Sequence, residues 1–161
     1  MNEIGFRNYD PGFRFNFHQF RRILTQALEL DLGIQNWRLA FSFLPSRRMA
    51  LLNEKYLSHQ GPTDVITFDY AESAGKSRSK SVASIHGEVF VCPAVAKKQA
   101  HEFAATLSLE VLRYAVHGIL HLAGYDDSRV RLRRKMKKKE DQVIRALNKR
   151  FSLRGLVARR Q

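Results

Sequence analysis

Two histidines in an apolar stretch are the residues whose types and spacing most clearly indicate a chemical function. His117 and His121 are four residues apart, so on a helix both rings project from one face, one turn apart. This spacing lets two ring nitrogens bind one metal ion. Gly124 turns the chain back, and Asp126 and Asp127 follow with carboxylates, either of which can supply the third ligand. Both histidines could instead be ordinary core residues, but the glycine turn and the acidic pair favour a metal site.

The residue after the first histidine bears on the type of reaction. A zincin protease has a glutamate there, the general base of its H-E-x-x-H motif. This chain has Gly118, so a peptidase would lack its expected base. Metal activation of water needs no side-chain nucleophile, and phosphodiester hydrolysis therefore remains open. Asp64 and Glu88 are candidates to assist it, although an aspartate before a strand is often a turn or capping residue.

The metal motif requires a rigid element, and the sequence predicts a helix for it. Residues 109–122 are apolar on most sides, which is typical of a buried central helix rather than a surface helix. Ser108 is the predicted N-cap. Gly124 is the predicted left-handed residue after the helix.

The remaining elements alternate between strand and helix patterns. Apolar spacing of three and four residues predicts helices, and short β-rich runs bounded by turn residues predict strands. The pattern predicts up to four strands among helices. Strands are predicted at residues 4–7, 37–44, 65–68 and 85–91; helices at 17–28, at 46–57, from 93 to beyond 102, and at 128–148; and a polar loop at 72–81.

Positive charge is concentrated near the C-terminal end of the chain. The net charge is +13, and residues 129–161 hold 14 of the 28 lysines and arginines but only two of the 15 acidic residues. Such a run can be a solvated helix face, yet an excess of this size creates a field that attracts a polyanion. RNA is therefore the predicted partner, with Arg133, Arg134 and Lys137 as predicted substrate-binding residues.

Length and composition predict one domain. With 161 residues and 44% hydrophobic content, we expect residues 1–150 to form a single hydrolase domain and residues 151–161 a basic, frayed tail. Cys92 is the only cysteine, so no disulfide is expected within the chain, and a buried thiol is favoured over a nucleophile. No signal peptide or membrane span is expected, which indicates a cytoplasmic protein.

Three blocks of the sequence resemble the YbeY family of bacterial rRNA-maturation endoribonucleases. The metal motif HGILHLAGYD at residues 117–126 is similar to the family signature. LNEKY at 52–56 followed by PTDVITF at 62–68 resembles the second block, and HGEVFVCP at 86–93 resembles the third. The blocks occur in the family's order, and the resemblance spans about residues 37–145.

The resemblance implies both an architecture and an activity. It implies an α/β (α+β) fold with a small, roughly four-stranded mixed sheet packed against helices, and a zincin-like central helix that carries a zinc ion. The expected activity is cleavage of single-stranded RNA by metal-activated water, in 16S rRNA 3′-end maturation and ribosome quality control. The expected partners are ribosomal RNA and the small ribosomal subunit, with no role for a membrane.

The sequence departs from the family pattern at two positions. Asp127 stands where the family usually has a third histidine, so the expected ligands are His117, His121 and Asp127. Because aspartate binds through oxygen, zinc or another divalent ion fits this set. Asp126 is then expected to fix the turn or support a ligand. The second departure is Leu57, which replaces a family arginine thought to act on substrate, and the sequence leaves that role open among three residues: Arg47, Arg48 and His59.

The sequence also allows two other functions. One is a non-catalytic ribosome-assembly or RNA-binding factor in which the metal is structural. The other is a metallopeptidase, which Gly118 disfavours.

Overall fold

The computed structural model describes residues 1–73 and 84–161. The predicted polar loop at 72–81 lies largely outside these residues. In chain order, the elements are β1 (Glu3–Asn8), β2 (Phe13–Phe15), α1 (Phe17–Gln26), a π-helical turn (Ala27–Asp31), β3 (Asn36–Phe43), α2 (Ser46–Leu57), β4 (Val65–Asp69), α3 (Tyr70–Ser73), β5 (Ser84–Val91), α4 (Pro93–Glu102), α5 (Leu107–Leu122), α6 (Val130–Arg150) and β6 (Val157–Arg159).

A four-stranded mixed sheet forms the centre of the fold. Its strand order is β1, β3, β5, β4. β1 and β5 run parallel to β3, while β4 runs antiparallel to β5. The predicted α/β class and the mixed four-stranded sheet are therefore confirmed. A second, two-stranded antiparallel sheet of β2 and β6 was not predicted.

Helix α5 packs so closely on the sheet that two glycines are required at the contact. A Cβ atom built on Gly118 would lie 2.6 Å from Val89 Cγ1, and one on Gly87 would lie 2.5 Å from Leu122 Cδ2. Eleven residues of α5 are buried, which confirms the prediction of a buried central helix. The face that contacts β5 is thus fixed, and His117 is turned away from it because it directly precedes Gly118.

The ends of α5 differ in part from the prediction. The N-cap is Thr106, whose side chain accepts a hydrogen bond from Leu109 N. Ser108 is not the cap: its buried hydroxyl donates to Val157 O and accepts from Val157 N. At the other end, Gly124 has φ 98°, and its left-handed conformation is confirmed.

Residues 151–161 do not fray, and this part of the prediction is wrong. β6 pairs with β2, and Arg160 N donates to Gly12 O. Leu153, Leu156 and Val157 are buried in the core. The many basic residues of this segment led to the prediction of a frayed tail. The burial of its three apolar side chains holds the segment in place.

The core also contains the single cysteine and the N-terminal phenylalanines. Cys92 is fully buried, as predicted. The phenylalanines of the N-terminal part pack in the core rather than forming a stacking surface; Phe20 is fully buried, and the rings of Phe15 and Phe43 stack with centroids 4.1 Å apart.

Across the described part of the chain, membrane-span criteria are not met by any helix taken alone. α4 and α5 meet them by length and composition only as a pair, which is bent by 118°.

Candidate metal centre

The last turns of α5 bring the two histidines together. His117 Nε2 and His121 Nε2 lie 3.1 Å apart, and their rings meet edge to face at 82°. The two side chains are 25% and 30% exposed. They lie on the same helix face because four residues make slightly more than one turn. Both nitrogens therefore point into one partly open recess.

The turn after α5 brings one of the two aspartates to this recess. Asp127 Oδ2 lies 3.7 Å from His117 Nε2 and 3.5 Å from His121 Nε2. Asp126 instead accepts hydrogen bonds from the backbone N and the hydroxyl of Ser128 at 2.9 and 2.7 Å. These bonds lower the pKa of Asp126. The structure thus places Asp127 at the histidines and gives Asp126 the turn-fixing position.

The donor set fits a divalent ion. The ligand atoms of His117, His121 and Asp127 all lie within 4.8 Å of one another. Tetrahedral zinc with bonds of 2.0–2.2 Å needs ligand atoms about 3.3 Å apart, and the three separations here are close to that spacing. Two imidazoles and one carboxylate also match known catalytic zinc sites, which keep a fourth position open.

A carboxylate from α6 orients the first histidine. Glu140 Oε2 accepts a hydrogen bond from His117 Nδ1 at 2.8 Å, and Glu140 is only 4% exposed. Arg113 Nη1 donates to Glu140 Oε1 at 2.9 Å, and Lys137 Nζ lies 3.3 Å from the same oxygen. A proton held on Nδ1 leaves the lone pair of His117 Nε2 free for an ion.

Glu140 stays ionised in this position. Burial opposes the charge, but the hydrogen bonds from His117 and Arg113 outweigh it and lower the pKa of Glu140 to about 2. For His121, burial and the neighbouring His117 lower the pKa, although Asp127 opposes this. A lowered pKa keeps the His121 imidazole neutral, which is the form that binds metal.

Glu140 was not among the predicted site residues, because the many cations of α6 indicate a basic surface helix. The sequence nevertheless contains a signal for Glu140 in the apolar spacing of α6. Glu140 lies four residues after Met136 and three before Val143, both buried, so it occupies the apolar face of α6. A lone acidic residue on an apolar helix face of a basic segment indicates a buried partner.

A cleft of about 530 Å³ opens beside His117, and it contains one of the predicted assisting residues. Asp64 lines it, together with Glu110, Arg113 and Glu140. Asp64 Oδ1 accepts from Val65 N at 2.8 Å, which is the predicted capping arrangement. Glu88, the other candidate, bonds to Ser42 and Tyr70 and is not among the residues that line the cleft.

A second groove, of about 650 Å³, follows the outer face of α6 and is lined mainly by cations. The three predicted substrate-binding residues of this helix lie in it, with two more cations that the prediction did not include: Arg133, Arg134, Lys137, Lys138 and Arg145. Lys137 lines both the groove and the cleft. Arg133 Nε also donates to Asp127 O at 3.2 Å. The basic groove therefore adjoins the candidate metal ligands.

The other predicted substrate contacts lie apart from the cleft. Arg48 packs over the Tyr9 ring at 4.4 Å, and Arg47 is exposed at the start of α2. His59 is exposed on the loop after α2. None of these three lines the cleft or the basic groove, so the structure does not join them to the metal ligands.

Gly118 bears on the peptidase alternative as well as on packing. Any side chain at this position would meet Val89 at 2.6 Å, and it would point at β5 rather than into the recess. A glutamate there cannot serve the histidines as it does in a zincin protease. The geometry agrees with the sequence in disfavouring a peptidase.

Comparison with known proteins identifies the family of the chain. The family described as Endoribonuclease YbeY matches residues 9–148. Proteins named Endoribonuclease YbeY are similar to this chain: 34% identity over 128 residues in Chlorobium luteolum (78% of this chain, 87% of that protein), and 37% over 129 residues in Chlorobium phaeobacteroides (80% and 86%).

One further relative matches a shorter part of the chain, and one solved structure has a similar fold. The Endoribonuclease YbeY of Salinibacter ruber is 42% identical over 96 residues, which are 60% of this chain and 61% of that protein. The solution structure of TM1509 from Thermotoga maritima has a TM-score of 0.56 at 25% identity, and the match covers 95% of this chain and 99% of that one. The chain belongs to the YbeY endoribonuclease family.

Proposed function

We propose that this chain is a zinc-dependent endoribonuclease that cleaves single-stranded RNA during ribosomal RNA maturation in the cytoplasm. The observation that carries the proposal is the cluster of His117, His121 and Asp127 beside a cleft and a basic groove. Membership of an endoribonuclease family supports the reaction class. The small ribosomal subunit is the partner expected for such an activity.

The side chains around the cluster have distinct roles in this proposal. A zinc ion bound here supplies Lewis acidity toward a phosphoryl oxygen and lowers the pKa of a water molecule to about 7. Glu140 fixes the His117 ring and its tautomer. Lys137 and the cations of the basic groove bind the phosphates that flank the scissile bond.

Asp64 is the proposed proton acceptor within the cleft. Its Oδ1 already accepts from Val65 N and from Thr63 Oγ1. Its Oδ2 makes no hydrogen bond to any described residue, so it is free to accept a proton from a water molecule. The restricted exposure of the two histidine rings supports a flexible single strand as substrate, since such a strand can bend into the recess.

The test is cleavage of a labelled single-stranded RNA by the purified protein. EDTA and His121→Ala are each expected to abolish cleavage, because both remove the ion. His18→Ala is the matched control, since His18 is exposed on α1 and outside the recess; it should cleave as wild type does. Cleavage that survives His121→Ala would refute the proposal. Elemental analysis of the wild type and Asp127→Ala should show loss of the metal from the variant.

A non-catalytic assembly factor remains the second candidate, and one observation favours it. His117 joins α5 to α6 through Glu140, so an ion at this site would also stabilise the fold. If the metal is only structural, ligand substitutions should reduce folding and RNA binding together, and no RNA cleavage should be found. Deleting residues 149–161 is not a clean test, because it would remove β6 and three core side chains.

A further inference from the structure

The cleft beside His117 contains a buried carboxylate that lacks a hydrogen-bond partner. Glu110 is 6% exposed and lines the cleft. Its nearest charged partner is Arg113, whose Nε lies 3.9 Å from Glu110 Oε1, beyond hydrogen-bond distance. Within residues 1–73 and 84–161, no donor bonds to it. Its oxygens are not completely enclosed, because Glu110 lines the cleft, so this nearly buried carboxylate is an acceptor available to a ligand there.

Glu110 stands on the same face of α5 as the candidate metal ligand. It precedes Tyr114 by four residues and His117 by seven, which places all three along one stripe of the helix. At 1.5 Å per residue, Glu110 lies about 10 Å along the axis from His117. Burial raises the pKa of Glu110, although Arg113 opposes this shift. A ligand that donates hydrogen bonds would relieve the cost of burying this charge.

The same cleft also contains a directed hydrogen-bond donor. Gln99 Oε1 accepts a hydrogen bond from the Tyr114 hydroxyl at 2.6 Å. This bond fixes the amide so that its Nε2 is left as a donor. Gln99 and Tyr114 both line the cleft with Glu110. One cleft therefore presents both a carboxylate acceptor and an amide donor.

An exposed aromatic ring completes the cleft. Phe103 lines it and is 71% exposed. The residue after it, Ala104, has φ 51°, a left-handed conformation that is costly for a residue other than glycine. This turn ends α4 and leaves the ring in solvent. An exposed aromatic side chain in an RNA-binding cleft is suited to stacking on an unpaired base.

We infer that this cleft binds a guanine base of the single-stranded RNA, next to the scissile phosphate. Guanine presents N1–H and N2–H donors that match the two oxygens of Glu110, and an O6 acceptor that matches Gln99 Nε2. Adenine and cytosine each place an unprotonated ring nitrogen against the carboxylate. Uracil offers one N–H donor between two carbonyls. Of the four bases, guanine alone satisfies the buried carboxylate with two donors.

Lys137 connects the base cleft with the phosphate-binding surface. It lines both the cleft and the basic groove of α6. A strand whose phosphates follow the groove can therefore place a base in the cleft near His117. The inference rests on the proposed RNA substrate, and it adds a base preference that the metal ligands cannot supply.

The test measures nucleotide binding without any cleavage. The 5′-monophosphates of guanosine, inosine and adenosine are titrated into the protein by NMR or calorimetry. They contain no phosphodiester bond, so the result does not depend on hydrolysis. Inosine lacks only the N2 amine, and we expect it to bind about tenfold more weakly than guanosine monophosphate, the loss expected for one half of a bidentate contact. Equal binding of all three nucleotides would overturn the inference.

A substitution of Glu110 and a matched control test whether Glu110 causes the preference for guanosine over inosine monophosphate. Glu110→Gln is expected to reduce the guanosine-to-inosine ratio to within about twofold, because an amide cannot accept both donors. Glu102→Gln is the matched control, since it makes the same charge change at an exposed position of α4 outside the cleft; it should keep the wild-type ratio. A folded Glu110→Gln protein that keeps the preference would also overturn the inference.

Further variants keep the inference falsifiable if Glu110→Gln fails to fold. Gln99→Met should weaken guanosine and inosine monophosphates equally, since both have O6, and leave adenosine monophosphate unchanged. Phe103→Ala should weaken all three. A guanosine preference without RNA cleavage would refute the proposed function but retain the cleft, whereas cleavage without base preference would refute this inference alone.

Discussion

The two faces of α6 show how different the roles of charged side chains on one helix can be. The outer face carries a row of exposed cations, among them Arg134, Lys138 and Arg145, which line the basic groove. The inner face carries one buried carboxylate, Glu140, which bonds to His117 and Arg113. The cations dominate the net charge of the segment, yet the single carboxylate determines the geometry of the candidate metal site.

The physical reason for this difference is solvent. Exposed charges are screened by water and salt, so each contributes little to stability and acts mainly through its field on a polyanion. A buried carboxylate has lost its hydration and depends on every hydrogen bond it makes. We therefore expect substitutions on the inner face to affect folding and metal binding, and those on the outer face to affect RNA affinity.

The largest effect is expected from Glu140→Ala. It leaves Arg113 and His117 without their buried partner, and losing one member of such a pair costs about 3–5 kcal/mol. Removing a residue that hydrogen-bonds a metal-binding histidine also lowers metal affinity about 10- to 100-fold. Urea unfolding and zinc titration measure the two effects.

Asp141→Ala is the matched control for this substitution. Asp141 also bonds to Arg113, at 2.7 Å, but its side chain is 42% exposed. Its loss should cost about 1 kcal/mol or less. Equal losses of stability for the two variants would show that the buried network is no more important than an exposed ion pair.

The second largest effect is expected in the pH dependence of the unfolding free energy, to which Glu140 contributes. Its pKa falls from 4.5 to about 2 on folding. A depressed carboxylate pKa adds stability that is present above pH 4.5 and is lost as the pH falls toward 2. For metal-free protein, the unfolding free energy of the wild type should lose about 3 kcal/mol more over this interval than that of Glu140→Gln. Parallel curves for the two proteins would contradict this assignment.

The smallest effect on folding is expected from the outer face. Arg134→Gln with Arg145→Gln removes two groove cations and should change the unfolding free energy by about 0.5 kcal/mol or less. RNA affinity should fall, and the slope of log affinity against log salt should decrease by about one for each lost phosphate contact. Lys135→Gln is the control, because Lys135 is exposed on α6 but does not line the groove. A control variant with the same salt slope as the double variant would show that the groove has no special role.

Elements with a clear local pattern were predicted accurately. The helix expected at residues 46–57 is α2, Ser46–Leu57, and the four predicted strands all lie in the main sheet. Two local predictions failed. Ser108 pairs with Val157 instead of capping α5, and residues 151–161 form β6 with buried neighbours. Both errors involve contacts between distant parts of the chain, which local spacing does not contain.

The candidate site likewise has features set by the local sequence and features set by tertiary contacts. The spacing of His117 and His121 and the turn at Gly124 are local, so the sequence by itself determined that two imidazoles share one helix face. The choice of Asp127 over Asp126 depended on how the turn bonds to Ser128. The pairing of Glu140 with His117 and the cleft around Glu110 were decided only by the packing of α4, α5 and α6. Helical periodicity is set by neighbouring residues, whereas the burial of a charge depends on what the rest of the chain places against it.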